Sequence, residues 1–226
     1  PRYMHLVELI PHAGTDRKML ETLETFLVHH LGKGIVYAKD TPNFIANRIW
    51  VFSLIATIHH AAAFNLPLEV VDALTGPALG RPKSATFRTA DVVGLDTFGH
   101  VVQTFTQHLS QDPWHAYYQL PEWLQHLIQQ GALGQKTGKG IYQKQGKEIR
   151  VWDLQQQAYR RATETADPEV LKLLREPDTA KRLTALRAHP HPQAQFVWAS
   201  LRDLLHYCAV HLAEIADSVR DVDLAI

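Results

Sequence analysis

Several stretches carry residue types that could do chemistry. In "HLVELI" a carboxylate, Glu8, sits among apolar neighbours, with Met4, Leu6, Glu8 and Ile10 alternating as one face of a short strand. By pattern alone it reads as a strand-end glutamate facing water. In "KDTPNFIANR", Asn47 and Arg48 fall at the start of a helix, where an asparagine bonds locally. "GALGQKTGKG" invites comparison with a phosphate loop, but Gly138-Lys139 is followed by Gly140, not Ser or Thr. No strand-to-helix context surrounds it, so a nucleotide-binding reading is rejected. Fourteen histidines invite a metal. Adjacent pairs such as His29-His30 and His59-His60 point about 100° apart on a helix. Neither HExxH nor a cysteine cluster occurs, so no metal is expected and the histidines read as solvated or core-edge. No strand followed by GxGxxG and a helix appears either, so no dinucleotide is expected to bind this chain by that route.

Helices must position these residues. "GTDRKMLETLETFLVHHLGKG" has helical spacing, with Thr15 or Asp16 as cap and Gly32 and Gly34 as stops. "IVYAKD" is a short strand or extended linker. "DTPNFIANRIWVFSLIATIHHAAAFN" is the strongest helix, with Asp40 or Thr41 as N-cap and Pro42 at its first position. Its body is apolar nearly all round, which predicts a central place. Further helices follow in "LPLEVVDALTG", in the stretch from Gly80 to Leu109, and in "LPEWLQHLIQQGALG". Ile141 and Tyr142, a polar turn at Gln145-Gly146, then Ile149, Val151 and Trp152 predict a small β-hairpin. Gln155 to Pro192 reads as a polar connector with short helical pieces. Trp114, Tyr117 and Tyr118 read as packing residues.

A long helix returns in "QAQFVWASLRDLLHYCAVHLAEIADSV". Without a gap, Leu54 aligns with Leu205, His60 with His211, Ala62 with Ala213 and Asp72 with Asp223. This predicts a duplicated helical unit whose second copy is unfinished at Ile226. The start at Pro1, without Met or signal peptide, is read as a cut inside a larger protein.

Twenty-three basic and 23 acidic residues balance, which gives no support to nucleic-acid binding. Cys208 is the single cysteine, excluding an intrachain disulfide and pointing to a reducing, cytoplasmic setting. The longest apolar stretch is broken by His59 and His60 and is no membrane span.

"HLVELIP", "LGKGIVYAKDTPNFIANRI", "GRPKSATFRTADVVGLD" and "GALGQKTGKGIY" occur in that order. Together they resemble the C-terminal part of the L-3-hydroxyacyl-CoA dehydrogenases of fatty-acid β-oxidation, above all long bacterial versions followed by an enoyl-CoA hydratase module. The resemblance implies a mainly α fold: a helical domain like that after the Rossmann domain of 6-phosphogluconate dehydrogenases, a partial second copy and the small hairpin. The expected segments are 1–11, the last strand of a missing Rossmann domain; 12–145, the first helical domain; 146–192, hairpin and connector; and 193–226, the truncated second copy.

The same resemblance assigns roles. Glu8 matches the glutamate that holds a catalytic histidine, itself absent from this chain. Such a carboxylate fixes the imidazole tautomer and stabilises the imidazolium. Asn47 matches an asparagine near the substrate, where its amide suits a thioester carbonyl and a hydroxyl. Arg48 reads as structural, salt-bridged at a domain boundary. Lys136 and Lys139 read as solvated, in a turn leading to the hairpin. NAD is expected in the parent protein and not in this part, which is expected to be inactive alone. An acyl-CoA substrate and a homodimer are implied. Two departures stand out: Asn43 replaces the glycine of "PGF", and "ATFRT" at Ala85 to Thr89 replaces a "GPFEL"-like turn. Two alternatives stay open: a non-catalytic helical assembly module, and a dehydrogenase of a non-CoA β-hydroxy acid.

Overall fold

A computed structural model describes residues 4–226. Pro1, Arg2 and Tyr3, the head of the segment expected over 1–11, lie outside the described residues. The fold is mainly α-helical with a small antiparallel sheet, as the sequence predicts. It divides into two compact units, one made of the chain up to Ser53 with Leu204–Ile226, the other of Leu54–Asp203.

The first unit opens with β1 (Leu6–Leu9), α1 (Arg17–His29) and β2 (Gly34–Tyr37). β1 is therefore followed by a second strand, which pairs with it in parallel from Leu6↔Gly34 to Leu9↔Tyr37. Asp16 caps α1, its Oδ1 accepting from the amides of Lys18 (2.8 Å) and Met19 (3.1 Å). Gly32 stops α1 in a left-handed conformation (φ 61°) that a Cβ would strain. Gly34 instead opens β2.

α2 (Ala46–Ala63) runs from this unit into the second. The cap expected at Asp40 or Thr41, with Pro42 in the first turn, is not formed. Residues 42–45 make a turn in which Asn43 (φ 64°) and Phe44 (φ 54°) are left-handed, and the helix starts only at Ala46. Asn43 explains its own departure: glycine and asparagine are the residues that visit this region most readily.

α9 (Pro192–Ile215) and α10 (Val219–Ala225) close the chain, and Ser218 caps α10 through the Asp221 amide. Lys39 completes the end of α9: its amide donates to Ile215 O (3.0 Å) and its ammonium to Ala213 O (2.8 Å). Val36, Ala38, Ile45 and Ile49 form one core with Ile215, Ala216 and Val222. Burial of these side chains drives the unit together, at roughly 25 cal/mol per Å² of apolar surface.

The second unit holds α3 (Leu68–Thr75), α4 (Phe87–Val93), α5 (Leu95–His108) and α6 (Glu122–Gln129). β3 (Tyr142–Gln145) and β4 (Glu148–Asp153) are the predicted hairpin, with Gly146 at φ 61° in its turn. A third strand, β5 (Ala158–Arg161), extends the sheet inside the stretch read as connector. Asp153 turns the chain into it by accepting from the amides of Gln155 and Gln156. α7 (Pro168–Leu174) and α8 (Thr179–Ala188) follow. α3 and α10 both follow a long helix after a short break, at the offset that sets Leu54 on Leu205. Among the described residues no helix is long and apolar enough to cross a membrane.

Candidate functional site

The start of α2 has no local side-chain cap, yet two amides there find an acceptor. Glu8 reaches them from β1: Oε2 accepts from Ile45 N (3.0 Å) and Oε1 from Ala46 N (2.9 Å). The alternation of β1 sets this up, because Glu8 sits opposite Val36 in the register while Leu9 is buried beside it. The carboxylate also meets the positive end of the α2 macrodipole. Each oxygen spends one lone pair on an amide and keeps capacity for another donor. With both oxygens pinned, the group cannot swing away, so a third donor would find a fixed acceptor.

Asn47 follows Ala46 directly, on an exposed part of the first turn of α2. Its side chain makes no hydrogen bond to the described residues. It therefore offers both an amide N–H and a carbonyl to an incoming group. Glu8 and Asn47, the two site residues expected from sequence, meet at one helix end.

Arg48, next in the chain, points into the first unit and is 1% exposed. Its guanidinium grips Glu214 with two bonds, Nη1–Oε1 at 2.8 Å and Nη2–Oε2 at 3.0 Å, and Nε donates to Tyr207 Oη (3.0 Å). Phe52 stacks on the Tyr207 ring at 3.8 Å. Burial works to raise the Glu214 carboxyl, but the bonds from Arg48 and His211 outweigh it and hold it below its usual range. Arg48 thus forms the ion pair that the sequence suggested, inside the first unit, with partners from the far end of the chain.

The second unit repeats the Glu8 device. Asp72 on α3 caps α4, accepting from Thr86 N (3.1 Å), Phe87 N (2.7 Å) and Arg88 N (3.2 Å), and from Tyr142 Oη (2.9 Å). Asp91 on α4 accepts from the amides of Ile141 and Tyr142, both at 2.8 Å. Burial pushes both carboxyls up to about 6, against the pull of those hydrogen bonds. Sequence reasoning gave neither a capping role, Asp72 entering only as the counterpart of Asp223. Their signal was an acid flanked by apolar residues within a helix, as Asp72 is in "VVDAL".

Asp91 also accounts for two of the four glycines of "GALGQKTGKG". A Cβ at Gly134 would run into the Asp91 carbonyl, and one at Gly140 into its carboxylate. Lys136, expected to be solvated, is held by both oxygens of Asp96 (2.6 and 2.7 Å). Lys139 is exposed.

His29 and His30, at the end of α1, are exposed, whereas the His59-His60 pair is engaged within the second unit. His60 Nε2 meets Asp203 Oδ2 at 2.7 Å in a buried pair, and His59 lies against Tyr117. Tyr118 is buried and donates to Asp112. Among the described residues no group of three or more His, Cys, Asp or Glu side chains is arranged to hold a metal.

Residues 44–144 match the family model of the 3-hydroxyacyl-CoA dehydrogenase C-terminal domain. A probable 3-hydroxyacyl-CoA dehydrogenase of Bacillus subtilis is 37% identical over 225 residues, covering 100% of this chain and 28% of its own length. Residues 44–144 carry the C-terminal domain of the 3-hydroxyacyl-CoA dehydrogenase family. The structure of (S)-3-hydroxybutyryl-CoA dehydrogenase from Ralstonia eutropha is similar over 64% of this chain and 49% of that one, at TM-score 0.53 and 28% identity. The 3-hydroxybutyryl-CoA dehydrogenase of Escherichia coli shares the fold over 99% of this chain and 57% of its own, at TM-score 0.63 and 18% identity. The chain thus spans under a third of the Bacillus relative and about half of these dehydrogenase structures.

Within the family frame, Glu8 lies outside the matched residues and Asn47 inside them. NAD does not fit the residues present. The turn between β1 and α1, residues 10–16, holds one glycine, Gly14, and the amides at the start of α1 are taken by Asp16. A carboxylate in that position repels a pyrophosphate.

Proposed function

We propose that this chain is the substrate-side part of an NAD-dependent L-3-hydroxyacyl-CoA dehydrogenase of fatty-acid oxidation, converting 3-hydroxyacyl-CoA to 3-ketoacyl-CoA. The observation that carries this reading is one helix end: a carboxylate pinned by two amides, followed by an exposed asparagine with unspent hydrogen-bonding groups. The nicotinamide cofactor and the histidine base belong to another region of the protein, so the steps at this surface concern only binding and proton handling.

Glu8 accepts the imidazole N–H of the base on its remaining lone pairs. That leaves the other ring nitrogen free to take the proton of the 3-hydroxyl, and the carboxylate stabilises the imidazolium that results. Asn47 donates its amide to the thioester carbonyl and accepts from the hydroxyl, holding the 3-hydroxyacyl group in register with the base. Placing both groups at one rigid helix end fixes their separation. Without the base and the cofactor, the chain alone has no turnover.

In the full-length protein, Asn47→Ala should lower kcat/KM for acetoacetyl-CoA reduction by about 10²-fold, the scale of a lost positioning or oxyanion donor. Its melting temperature should stay at the wild-type value, because the side chain is exposed and unbonded. Wild-type turnover in that variant would remove Asn47 from the site.

One observation favours a second reading, an assembly module. α1 exposes Met19 (71%) and Phe26 (48%) at helical spacing. Sedimentation of the full-length protein across a wide concentration range tests it; a single monomeric species throughout counts against it.

A further inference from the structure

In the second unit, a cavity of about 360 Å³ opens between α4, the turn at 134–138 and the β3–β4 hairpin. The proposed dehydrogenase chemistry does not use it. Arg88 and Lys144 line it with Tyr142, Ile149, Asp91 and Gly138. We propose that this cavity binds a small monoanion with an apolar body, an aliphatic carboxylate.

The charge facing the cavity is positive. The Arg88 guanidinium lies over the Tyr142 ring, 4.9 Å from its centroid. Lys144 is exposed on the hairpin. Neither holds an ion pair among the described residues. Asp91 is the one acid in the lining, and its two oxygens are committed to the amides of Ile141 and Tyr142. Two cations against one satisfied carboxylate leave room for a single negative charge. A planar guanidinium beside an ammonium suits a carboxylate head group.

The walls decide the rest of the ligand. Ile149 is the cross-strand partner of Lys144, so both project from the same face of the hairpin, and Ile149 is 43% exposed. The Tyr142 hydroxyl is spent on Asp72, which leaves its ring as surface. Gly138, at φ 72°, has nothing within 4 Å of where a side chain would start, so the turn leaves its side open. An alkyl chain laid along Ile149 would place its head group between Arg88 and Lys144.

Isothermal titration calorimetry on the full-length protein tests this with octanoate, octanol and inorganic phosphate. Octanoate should bind, and both Arg88→Glu and Lys144→Gln should weaken it by about tenfold or more, the scale of a lost charge-assisted bond. Octanol and phosphate should each bind at least about tenfold more weakly than octanoate, since each lacks one half of the recognition. Unfolding temperatures measured alongside establish that the variants are folded; Lys144, being exposed, can be changed without touching the core. Octanoate affinity unchanged in both variants would place binding elsewhere and overturn the proposal. Equal affinity for octanol would remove the anion requirement, and equal affinity for phosphate the apolar one; either result overturns it.

Discussion

Glu8 Oε1 accepts the amide of Ala46 at 2.9 Å across 38 positions of sequence. One carboxylate on a strand therefore closes the end of a helix that has no cap of its own. The same group is the one proposed to orient a catalytic imidazole. Structural and chemical roles converge on it, and the experiments must separate them.

The structural role comes first. Glu8→Ala leaves the amides of Ile45 and Ala46 without their acceptor and should cost about 1–2 kcal/mol, the scale of a lost N-cap. Glu8→Gln should cost less, because one oxygen remains to accept. Urea unfolding of the three proteins gives the order; equal midpoints would mean that solvent satisfies the helix end as well as Glu8 does.

Asn43 adopts φ 64°, and its Nδ2 is buried with no partner among the described residues. Asn43→Gly removes that orphan donor and keeps the backbone unstrained. It should be neutral or stabilising by up to about 1 kcal/mol, the relieved desolvation exceeding the chain entropy glycine adds. Asn43→Val, β-branched at a left-handed position, should destabilise. A thermal melt showing Asn43→Gly markedly less stable would indicate that the amide has a partner in solution.

Gly140 packs so closely on Asp91 that any Cβ collides with the carboxylate. Gly140→Ala must push Asp91 off the amides of Ile141 and Tyr142, at a cost of several kcal/mol. Gly146→Ala, at an open turn, should cost only about 1 kcal/mol for its positive φ. Chemical denaturation distinguishes them; similar costs would show that Asp91 can move freely.

Asp72 and Asp91 give stability a pH dependence. Their folded values, about 6, lie above the ordinary 3.8. The folded state thus holds their protons more tightly than the unfolded chain. Their contribution is fully present below about pH 4 and is lost as pH rises through about 6. Asp91→Asn cannot titrate, so relative to this variant the wild type should lose stability between about pH 4 and pH 7, by on the order of 1–3 kcal/mol. Parallel stability curves for the two proteins over that range would contradict the assignment.

How much was legible in the sequence follows from where the determinants lie. α1, α2, α9 and the β3–β4 hairpin were readable because their periodicity and turn residues are local. β5 was not, because its side chains do not alternate; its place is fixed by pairing with β4, as in Trp152↔Tyr159. The start of α2 was misplaced because Asp40, Thr41 and Pro42 form a plausible local signal, whereas the working cap comes from β1. Asp72 capping α4 is the same case. A window of a few residues can show a misplaced acid, but not which distant helix end it caps. Glu8 and Asn47 stood out through family resemblance and not through spacing, and their meeting at one helix end is a property of the fold.

The most direct test of the central claim is the pH dependence of kcat/KM for 3-hydroxyacyl-CoA oxidation, measured on full-length wild type and Glu8→Gln. A carboxylate bonded to the base raises its pKa, so removing the charge should shift the acid limb to lower pH by about one unit while lowering the plateau by about 10²-fold. An acid limb that stays in place in the folded variant would contradict the account and leave Glu8 as a helix cap alone.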